Sequence, residues 1–378
     1  MRKILLSLVI ALISTGFAIA QTKIIISAKN YKAEKINIAW QTDNGEYNVK
    51  GIEIKDGKGE ITIDAPEGKN INLASLDPRS RITMGQGIMP GPGFAFYAEK
   101  GTIKISFDAD QWPILTIEGG ALSKDCNNYW GAMAPIEKAS FELTGKRFAQ
   151  GDPEKPNLEM DNERERLAKE NDKIQHNFIV NNPGSLLALD ILSQRFMKYS
   201  LDEFEKLFTG LSKSVKESVK GKAVAERIAA AKATQPGKPA PKFSKKDKDG
   251  KIISLDNLKG KYVLIDFWGT WCQPCRASHP HLVQLYNKYS PMGLVFINVA
   301  QEGNLRARDK WLKAIEDDGL VWTQILNDED IDDCNMVNLF SIQAFPSKVL
   351  IDPQGNIIKT WIGDSPEVDA KLKEIYGK

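Results

Sequence analysis

The feature that most constrains the fold is a run of mainly apolar residues, 262–267, which leads into the pair Cys272 and Cys275. Such a run predicts a buried strand, and the two cysteines stand where that strand would turn into a helix. The N–H groups in a helix's first turn lack carbonyl partners and lie at its positive end, so they stabilise a thiolate placed there. The pKa of a cysteine, ordinarily about 8.5, falls to roughly 3.5–7.5 at such positions. We therefore expect Cys272, the more exposed member, to be a nucleophile and Cys275, one turn later, to be the resolving thiol.

Strands and helices alternate on both sides of this pair. The predicted elements are strand 262–267, helix 272–289, strand 294–299, helix 305–317, strand 322–325, helix 336–340, strands 348–352 and 357–361, and helix 366–376. This alternation, which includes a hairpin near its end, predicts an α/β fold with one mixed sheet over residues 244–378. Residues 234–243 include three prolines and predict an extended linker ahead of it.

The residues before the linker predict two other kinds of structure. Apolar and polar residues alternate between 21 and 122 in short segments, which favours an all-β, sandwich-like domain. These segments are 23–27, 36–40, 51–54, 60–63 and 102–107. From 123 to 233 the pattern is helical. Ser200 and Glu203 have the spacing of a capping box, and apolar residues recur from Leu201 to Val219 at three- and four-residue steps, which predicts one amphipathic helix.

The first twenty residues have the pattern of a cleaved signal peptide. Arg2 and Lys3 precede an apolar core, and Ala18 and Ala20 provide a small-x-small cleavage motif. The core is shorter than the roughly 20 residues of a membrane span, so we expect export to the periplasm or cell envelope, with an uncleaved anchor as the alternative. The chain has 51 Lys and Arg against 49 Asp and Glu, a balance that favours neither nucleic acid nor an anionic membrane surface as a partner.

Four separated motifs make the C-terminal part similar to a known family. They are the entry segment 237–243, the segment 260–268, the Trp-Cys-x-Pro-Cys-Arg core at 271–276 and Ala-Phe-Pro-Ser at 344–347. In this order they resemble the extracytoplasmic, redoxin-type thioredoxins of the TlpA/ResA kind, which implies a thioredoxin fold and thiol-disulfide exchange. The N-terminal half resembles, less specifically, the β-rich domain and helical arm that precede such domains in envelope proteins. For that half the resemblance implies no chemistry.

The resemblance gives Asp266 a role behind the cysteine pair. Asp266 matches the family's buried acid. A carboxyl in an apolar sheet has a raised pKa, which would suit Asp266 to accept the proton of Cys275 as that thiol becomes nucleophilic. The alternative is a strand-end carboxylate that only hydrogen-bonds to the backbone.

The resemblance also implies a substrate-binding surface beside the cysteines. Pro346 should follow a cis peptide bond, and Phe345 before it would offer backbone hydrogen bonds to an extended polypeptide. Trp271 would cover the cysteines and exclude water, unless it is only a packing aromatic. Gly363 would keep the neighbouring edge low for a substrate backbone. No cofactor or metal is implied.

One turn of the predicted helix departs from the family pattern. Ser278 stands where TlpA-like sequences often have an acidic residue, with His279 beside it. His279 and His281 could be interpreted as a metal pair with the cysteines, but structural zinc requires two clustered pairs of ligands. We therefore expect both histidines to lie on an ordinary helix surface.

These observations predict an exported thiol-disulfide oxidoreductase. The resemblance favours a reductase of envelope protein disulfides that receives electrons from a membrane thiol donor, as in cytochrome c maturation; an oxidase or isomerase role stays open. A peroxiredoxin-like peroxidase is one alternative, but its site needs a threonine three residues before the reactive cysteine, where this chain has Gly269. A non-catalytic binding module is the other. Cys126 and Cys334 are expected not to pair, with an interdomain disulfide as the alternative.

Overall fold

The computed structural model describes residues 21–42, 46–84, 87–151, 155–303, 307–329 and 334–377. The predicted signal peptide, 1–20, lies outside these residues. The described chain forms two compact units: the first runs up to Gln194 and includes Gly210–Val215, and the second comprises Arg195–Thr209 and the chain from Lys216 onward. No described helix is both long and apolar enough to cross a membrane.

The first unit contains two four-stranded sheets, ordered β10-β9-β1-β4 and β3-β2-β5-β8. Its strands are β1 (Gln21–Lys29), β2 (Lys35–Gln41), β3 (Tyr47–Glu53), β4 (Lys58–Asp64), β5 (Asn70–Ser75), β6 (Arg81–Met84), β7 (Gly87–Pro90), β8 (Phe94–Tyr97), β9 (Gly101–Asp108) and β10 (Leu115–Glu118). Strands β1 and β2 each bury alternate side chains, as the sequence pattern predicts for a sandwich. The predicted β-rich region is confirmed.

Three helices complete the first unit: α1 (Ala121–Ala149), α2 (Leu158–Asn181) and α3 (Leu186–Gln194). The Tyr97 hydroxyl donates a 2.6 Å hydrogen bond to Asp190 of α3. Cys126 on α1 is a fully buried thiol, and burial raises its pKa to about 12. A thiol this reluctant to ionise is a poor nucleophile.

The single amphipathic helix predicted through Val219 is wrong. The chain instead forms α4 (Leu201–Gly210), α5 (Lys213–Glu217) and α6 (Val219–Ala233). The capping box itself is confirmed, because the Ser200 N–H donates to the Glu203 carboxylate at 3.0 Å and the Glu203 N–H to Ser200 Oγ at 3.3 Å. The predicted helix is broken twice, after Gly210 and after Glu217. Ser218 accounts for the second break, because its Oγ accepts the Gly221 N–H at 3.0 Å and caps α6. Val219 then begins α6 and is 91% exposed rather than buried.

The second unit has the topology of a thioredoxin fold. Its further elements are β11 (Ser244–Lys246), β12 (Ile252–Ser254), β13 (Val263–Trp268), α7 (Gln273–Tyr289), β14 (Val295–Ala300), α8 (Arg308–Asp317), β15 (Thr323–Leu326), α9 (Met336–Leu339), β16 (Ser347–Ile351), β17 (Ile357–Ile362) and α10 (Pro366–Tyr376). The central sheet has the order β15-β14-β13-β16-β17. Strands β13 to β15 are parallel, whereas β16 is antiparallel to both β13 and β17. The predicted mixed sheet is confirmed.

The two faces of this sheet separate the side chains of β13. Leu264 and Trp268 pack with the cysteines and helix α7, whereas Ile265 and Phe267 pack in a second cluster on the other face. Because side chains alternate along a strand, Asp266 lies on the α7 face, between Leu264 and Trp268.

Residues 234–243, interpreted from the sequence as a linker, are part of the second unit and hydrogen-bond to the start of its strand β17. The Gly237 N–H donates to the Ile357 carbonyl at 2.7 Å, and the Ile357 N–H donates to the Lys238 carbonyl at 2.8 Å. Phe243 is buried in the core. Contrary to the prediction, residues 234–238 form a turn, in which the Lys238 N–H donates to the Gln235 carbonyl at 3.1 Å. The chain then bridges to Asn356 at Pro239, beside the start of β17. The predicted domain boundaries at 122, 233 and 243 stay predictions.

Candidate active site

Cys272 is the N-cap residue of α7 and forms a disulfide with Cys275. The Cys275 N–H donates to Cys272 Sγ at 3.2 Å, and Pro274 occupies the first turn, where a missing N–H costs nothing. The 17-residue helix therefore directs its unpaired amides and its positive end at Cys272. Cys272 keeps 4% of its surface and Cys275 none, so Cys272 is the more accessible of two buried sulfurs.

Trp271 is prominent on the surface rather than buried, with 56% of its area exposed. Its indole N–H donates to the Gln301 carbonyl at 2.8 Å, and its ring meets Phe345 edge-on, with 5.5 Å between ring centroids. Gly269 makes this position possible, because a Cβ there would lie 2.6 Å from Trp271 Nε1 and 2.9 Å from the Gln301 oxygen. Gly269 is thus required by a close approach that the sequence did not reveal.

The Phe345–Pro346 peptide bond is cis, as predicted. The Gly363 N–H donates to the Pro346 carbonyl at 2.8 Å, and Gly363 has φ +83°, in the left-handed region that favours glycine. We call Phe345, Pro346 and Gly363 the cis-proline rim. Gly363 therefore adopts a left-handed backbone conformation and donates its N–H to the rim. The sequence had suggested only that a residue without a side chain leaves room there for a substrate backbone.

Asp266 lies at the centre of a polar row across the α7 face of the sheet. In the strand register it stands opposite Asn298 on β14 and Lys348 on β16. Lys348 Nζ lies 3.3 Å from Asp266 Oδ1, and Asn298 donates to Asp266 Oδ2 at 3.2 Å. The Trp322 indole N–H in turn donates to Asn298 at 2.8 Å. The alternative of a backbone-bonded carboxylate therefore does not describe Asp266, whose partners are side chains.

Burial raises the pKa of the Asp266 carboxyl, while Lys348 and His279 act in the opposite direction. Lys348, which the sequence did not indicate as a site residue, is 1% exposed. The available signal was a lysine inside the otherwise apolar strand Ser347–Ile351. A charge in such a strand is buried only beside a partner charge.

Comparison with known proteins decides the family. Residues 236–360 match the model of the AhpC/TSA family. The chain is similar to the thiol-disulfide oxidoreductase ResA of Bacillus anthracis, with 31% identity over 144 residues that cover 37% of this chain and 79% of that relative. It is 30% identical to ResA of Bacillus subtilis over 131 residues, 35% of this chain and 69% of that relative. This chain belongs to the ResA thiol-disulfide oxidoreductase family. Among solved structures, the thioredoxin domain of a thiol-disulfide oxidoreductase from Bacteroides vulgatus covers 37% of this chain and 97% of its own, at 30% identity and a TM-score of 0.34.

The position of His279 in this ResA-family protein differs from the helix-surface position expected from the sequence. It is fully buried rather than on the helix surface. Its Nδ1 lies 2.6 Å from Asp318 Oδ2, and its ring meets Trp268 edge-on at 4.8 Å. Although burial acts to raise it, hydrogen bonds from Arg276 and His279 leave the pKa of Asp318 below its ordinary value. The sequence could not reveal this cluster, because Asp318 is 39 residues away at the end of α8.

The position at which TlpA-like sequences often have an acidic residue is occupied by a structural hydroxyl. Ser278 is buried, and its Oγ donates to the Cys275 carbonyl at 2.8 Å within α7. The second histidine, His281, is partly buried between Asp364 and Asp369, at 3.1 and 3.0 Å. Across the residues that the structure describes, no group of three or more His, Cys, Asp or Glu could hold a metal ion.

The loop after β14 supports the cysteine motif from the side. The backbone N–H and hydroxyl of Thr270 both donate to the buried Glu302 carboxylate at 2.6 Å. Asp328 holds that loop in turn by accepting the N–H groups of Glu302 at 3.0 Å and Gly303 at 2.9 Å. Neither acid is recognisable from the sequence, since the groups they bind lie 25 to 32 residues away along the chain.

Proposed function

We propose that this protein is an exported reductase of protein disulfides in the cell envelope. One observation carries the proposal: Cys272 is the N-cap of a long helix, accepts the Cys275 N–H, and is already disulfide-bonded to Cys275. The helix end stabilises the Cys272 thiolate, which makes it both an attacking group and a good leaving group. The pair is therefore suited to cycle between dithiol and disulfide.

The cycle begins with attack of the Cys272 thiolate on a substrate cystine. A mixed disulfide forms and one substrate thiolate leaves. Asp266 then takes the proton of Cys275, and the Cys275 thiolate attacks Cys272 Sγ, which releases the second substrate thiolate. A membrane thiol donor returns the protein to the dithiol by the same exchange in reverse.

The surface beside the disulfide suits an extended polypeptide. Trp271 and the half-exposed Ile362 present apolar area on either side of the cis-proline rim. The backbone of Phe345 would pair with the substrate chain, while Trp271 would pack against its side chains. This arrangement supports a protein substrate over a small-molecule one.

Export is supported by the signal-peptide pattern of the first twenty residues. Disulfide chemistry is also consistent with export, because disulfides persist in oxidising compartments outside the cytoplasm. The reductase direction is supported by similarity to proteins named ResA. The AhpC/TSA match makes a peroxidase worth testing. Gly269 stands where that chemistry needs a threonine, and so we expect no turnover of hydrogen peroxide.

Two measurements test the proposal. Cys272→Ser should abolish reduction of insulin disulfides, whereas Cys275→Ser should accumulate mixed disulfides. Cys126→Ser, in the other unit, is the matched control and should retain full activity. A redox titration against glutathione should give a potential nearer to the roughly −270 mV of thioredoxin than to the about −120 mV of a strong oxidant. Full turnover by Cys272→Ser would refute the nucleophile, and a potential near about −120 mV would refute the direction.

A further inference from the structure

Lys348 is a buried lysine in the middle of the thioredoxin sheet. It stands opposite Asp266 in the strand register, and the two side chains are 1% and 2% exposed. Lys348 Nζ lies 3.3 Å from Asp266 Oδ1, so the two form an ion pair, but their geometry is not that of a hydrogen bond. Neither of these two atoms has a hydrogen-bond partner among the described residues. Burying a charge is costly unless a partner charge offsets the cost. The ammonium group of Lys348 therefore acts mainly on the Asp266 carboxyl.

The same ammonium group connects to the protein surface through Asp364. Lys348 Nζ lies 3.9 Å from Asp364 Oδ1, and the Asp364 side chain is 42% exposed. Asp364 directly follows Gly363 of the cis-proline rim. The same Oδ1 of Asp364 lies 3.1 Å from Nδ1 of His281, which also contacts Asp369. Lys348 thus stands between a buried carboxyl and a carboxylate at the rim.

We propose that Lys348 holds Asp266 ionised in the reduced protein and that Asp364 weakens this hold, so that charge at the cis-proline rim sets the pH at which Cys275 becomes nucleophilic. The inference rests on the proposed function, in which Asp266 accepts the Cys275 proton. Lys348 and Asp364 are positioning residues, since both act through Asp266.

Four groups face Asp266 from elements packed against its strand. Lys348 on β16 and His279 on α7 favour the ionised carboxylate, whereas Asp364 after β17 favours the protonated carboxyl. Asn298 on β14 donates a hydrogen bond and carries no charge. Burial raises the pKa of Asp266 more than any one of these groups changes it. Without Lys348, the pKa of the Asp266 carboxyl would rise further, so a higher pH would be needed before the carboxylate could accept the Cys275 proton.

The affected step is a proton transfer followed by a disulfide exchange. The Cys275 thiol gives its proton to the Asp266 carboxylate, and the resulting thiolate attacks Cys272 Sγ in the mixed disulfide. The Cys272–Cys275 bond forms while the bond from Cys272 to the substrate sulfur breaks. The substrate sulfur leaves with the electron pair and takes a proton from water. Over the whole reaction the protein dithiol loses two electrons and the substrate disulfide gains them.

A symmetrical aromatic disulfide that releases a coloured thiolate separates the two exchange steps. The first thiolate released reports attack by Cys272, and the second reports attack by Cys275. Both releases are followed by stopped-flow absorbance over a series of pH values, in full-length protein that carries Cys126→Ser and Cys334→Ser in every variant so that no other thiol reacts. Absence of the first release in the wild type would refute the proposed function, whereas the present inference concerns only the pH dependence of the second.

Removing the buried lysine should shift the pH profile of the second thiolate release to higher pH. Lys348→Met should raise the midpoint of its pH profile by roughly one unit or more, which is about a tenfold slowing at neutral pH. The first release should keep its wild-type profile. Lys359→Met is the matched control, because Lys359 lies on the neighbouring strand β17 and pairs with Glu367 at the surface. Its two profiles should match those of the wild type.

Removing the rim carboxylate should have the opposite effect. Asp364→Asn should lower the midpoint by on the order of 0.3 unit, a small shift because solvent screens a partly exposed charge. This variant keeps the buried pair intact, so it tests the inference even if Lys348→Met does not fold. In an Asp266→Asn background both shifts should disappear. Any of three results would overturn the inference. The pH profiles of the wild type and Lys348→Met could superimpose, the midpoint of Asp364→Asn could move upward, or the midpoint shifts could persist in the Asp266→Asn background.

Discussion

The exposed indole of Trp271 depends on two small structural details. Its N–H is held by the Gln301 carbonyl and its ring edge by Phe345. Both contacts require that residue 269 has no Cβ, which would lie 2.6 Å from Trp271 Nε1 and 2.9 Å from the Gln301 oxygen. An aromatic surface next to the disulfide is therefore maintained by a residue with no side chain of its own.

Gly269→Ala should displace Trp271 and destabilise the protein. The new Cβ would lie 2.6 Å from Trp271 Nε1, and relieving such an overlap costs about 1–3 kcal/mol. Urea unfolding measures the loss, and insulin reduction should slow in parallel. Gly131→Ala is the control, since a Cβ there meets nothing within 4 Å on helix α1, and it should be neutral or slightly stabilising. Equal stability of Gly269→Ala and the wild type would contradict this account of Trp271.

Residues of the candidate site differ in how far the sequence could identify them. Cys272 and Cys275 were identifiable because their chemistry depends on a spacing of three residues. Lys348 and the pair of His279 with Asp318 were not, because their burial depends on which strands and helices become neighbours. Interactions at short range follow from local pattern, whereas buried charge pairs require the assembled sheet.

The elements show the same division. Strands β13, β14 and β16 were predicted within one or two residues, since continuous apolar runs identify buried strands. Strands β5 and β8 were not predicted, although residues 70–73 alternate polar with apolar side chains and a Pro-Gly turn precedes Phe94. Both strands are short, with six and four residues, and so give a weak periodic signal. Around Val219 the three- and four-residue period continues through the sequence, but the serine cap at Ser218 ends the helix. A local hydrogen bond here overrides the periodic pattern.

Ser218→Ala should weaken the start of α6. Its Oγ accepts the Gly221 N–H at 3.0 Å, and losing an N-cap of this kind costs about 1 kcal/mol. Urea unfolding followed by circular dichroism measures the change. Ser214→Ala is the matched control, because Ser214 is an exposed serine inside the short helix α5, and its effect should stay within about 0.5 kcal/mol. Equal losses in the two variants would show that Ser218 does not act as a cap.

In the molecule as a whole, the redox chemistry is confined to the second unit. The disulfide, the buried acid and the cis-proline rim all belong to it. The first unit holds a buried thiol with a raised pKa and two four-stranded sheets for which sequence and comparison assign no chemistry. The fold class of each unit followed from hydrophobic periodicity. Apolar residues recur at every second position in the strands of the first unit, whereas strand-like and helix-like segments alternate along the second. Which of the helical residues between 195 and 215 belong to which unit depends on tertiary contacts, which a local sequence pattern does not reveal.

The most direct test of the account is the rate of alkylation of Cys272 as a function of pH. Reduced protein carrying Cys275→Ser isolates this sulfur from its partner, and Cys126→Ser and Cys334→Ser remove the other thiols. A thiolate stabilised by the start of α7 should react at half its maximal rate at least about one pH unit below the roughly 8.5 of an ordinary cysteine. A midpoint near about 8.5, equal to that of a cysteine in an unstructured peptide, would contradict the claim that the helix activates Cys272.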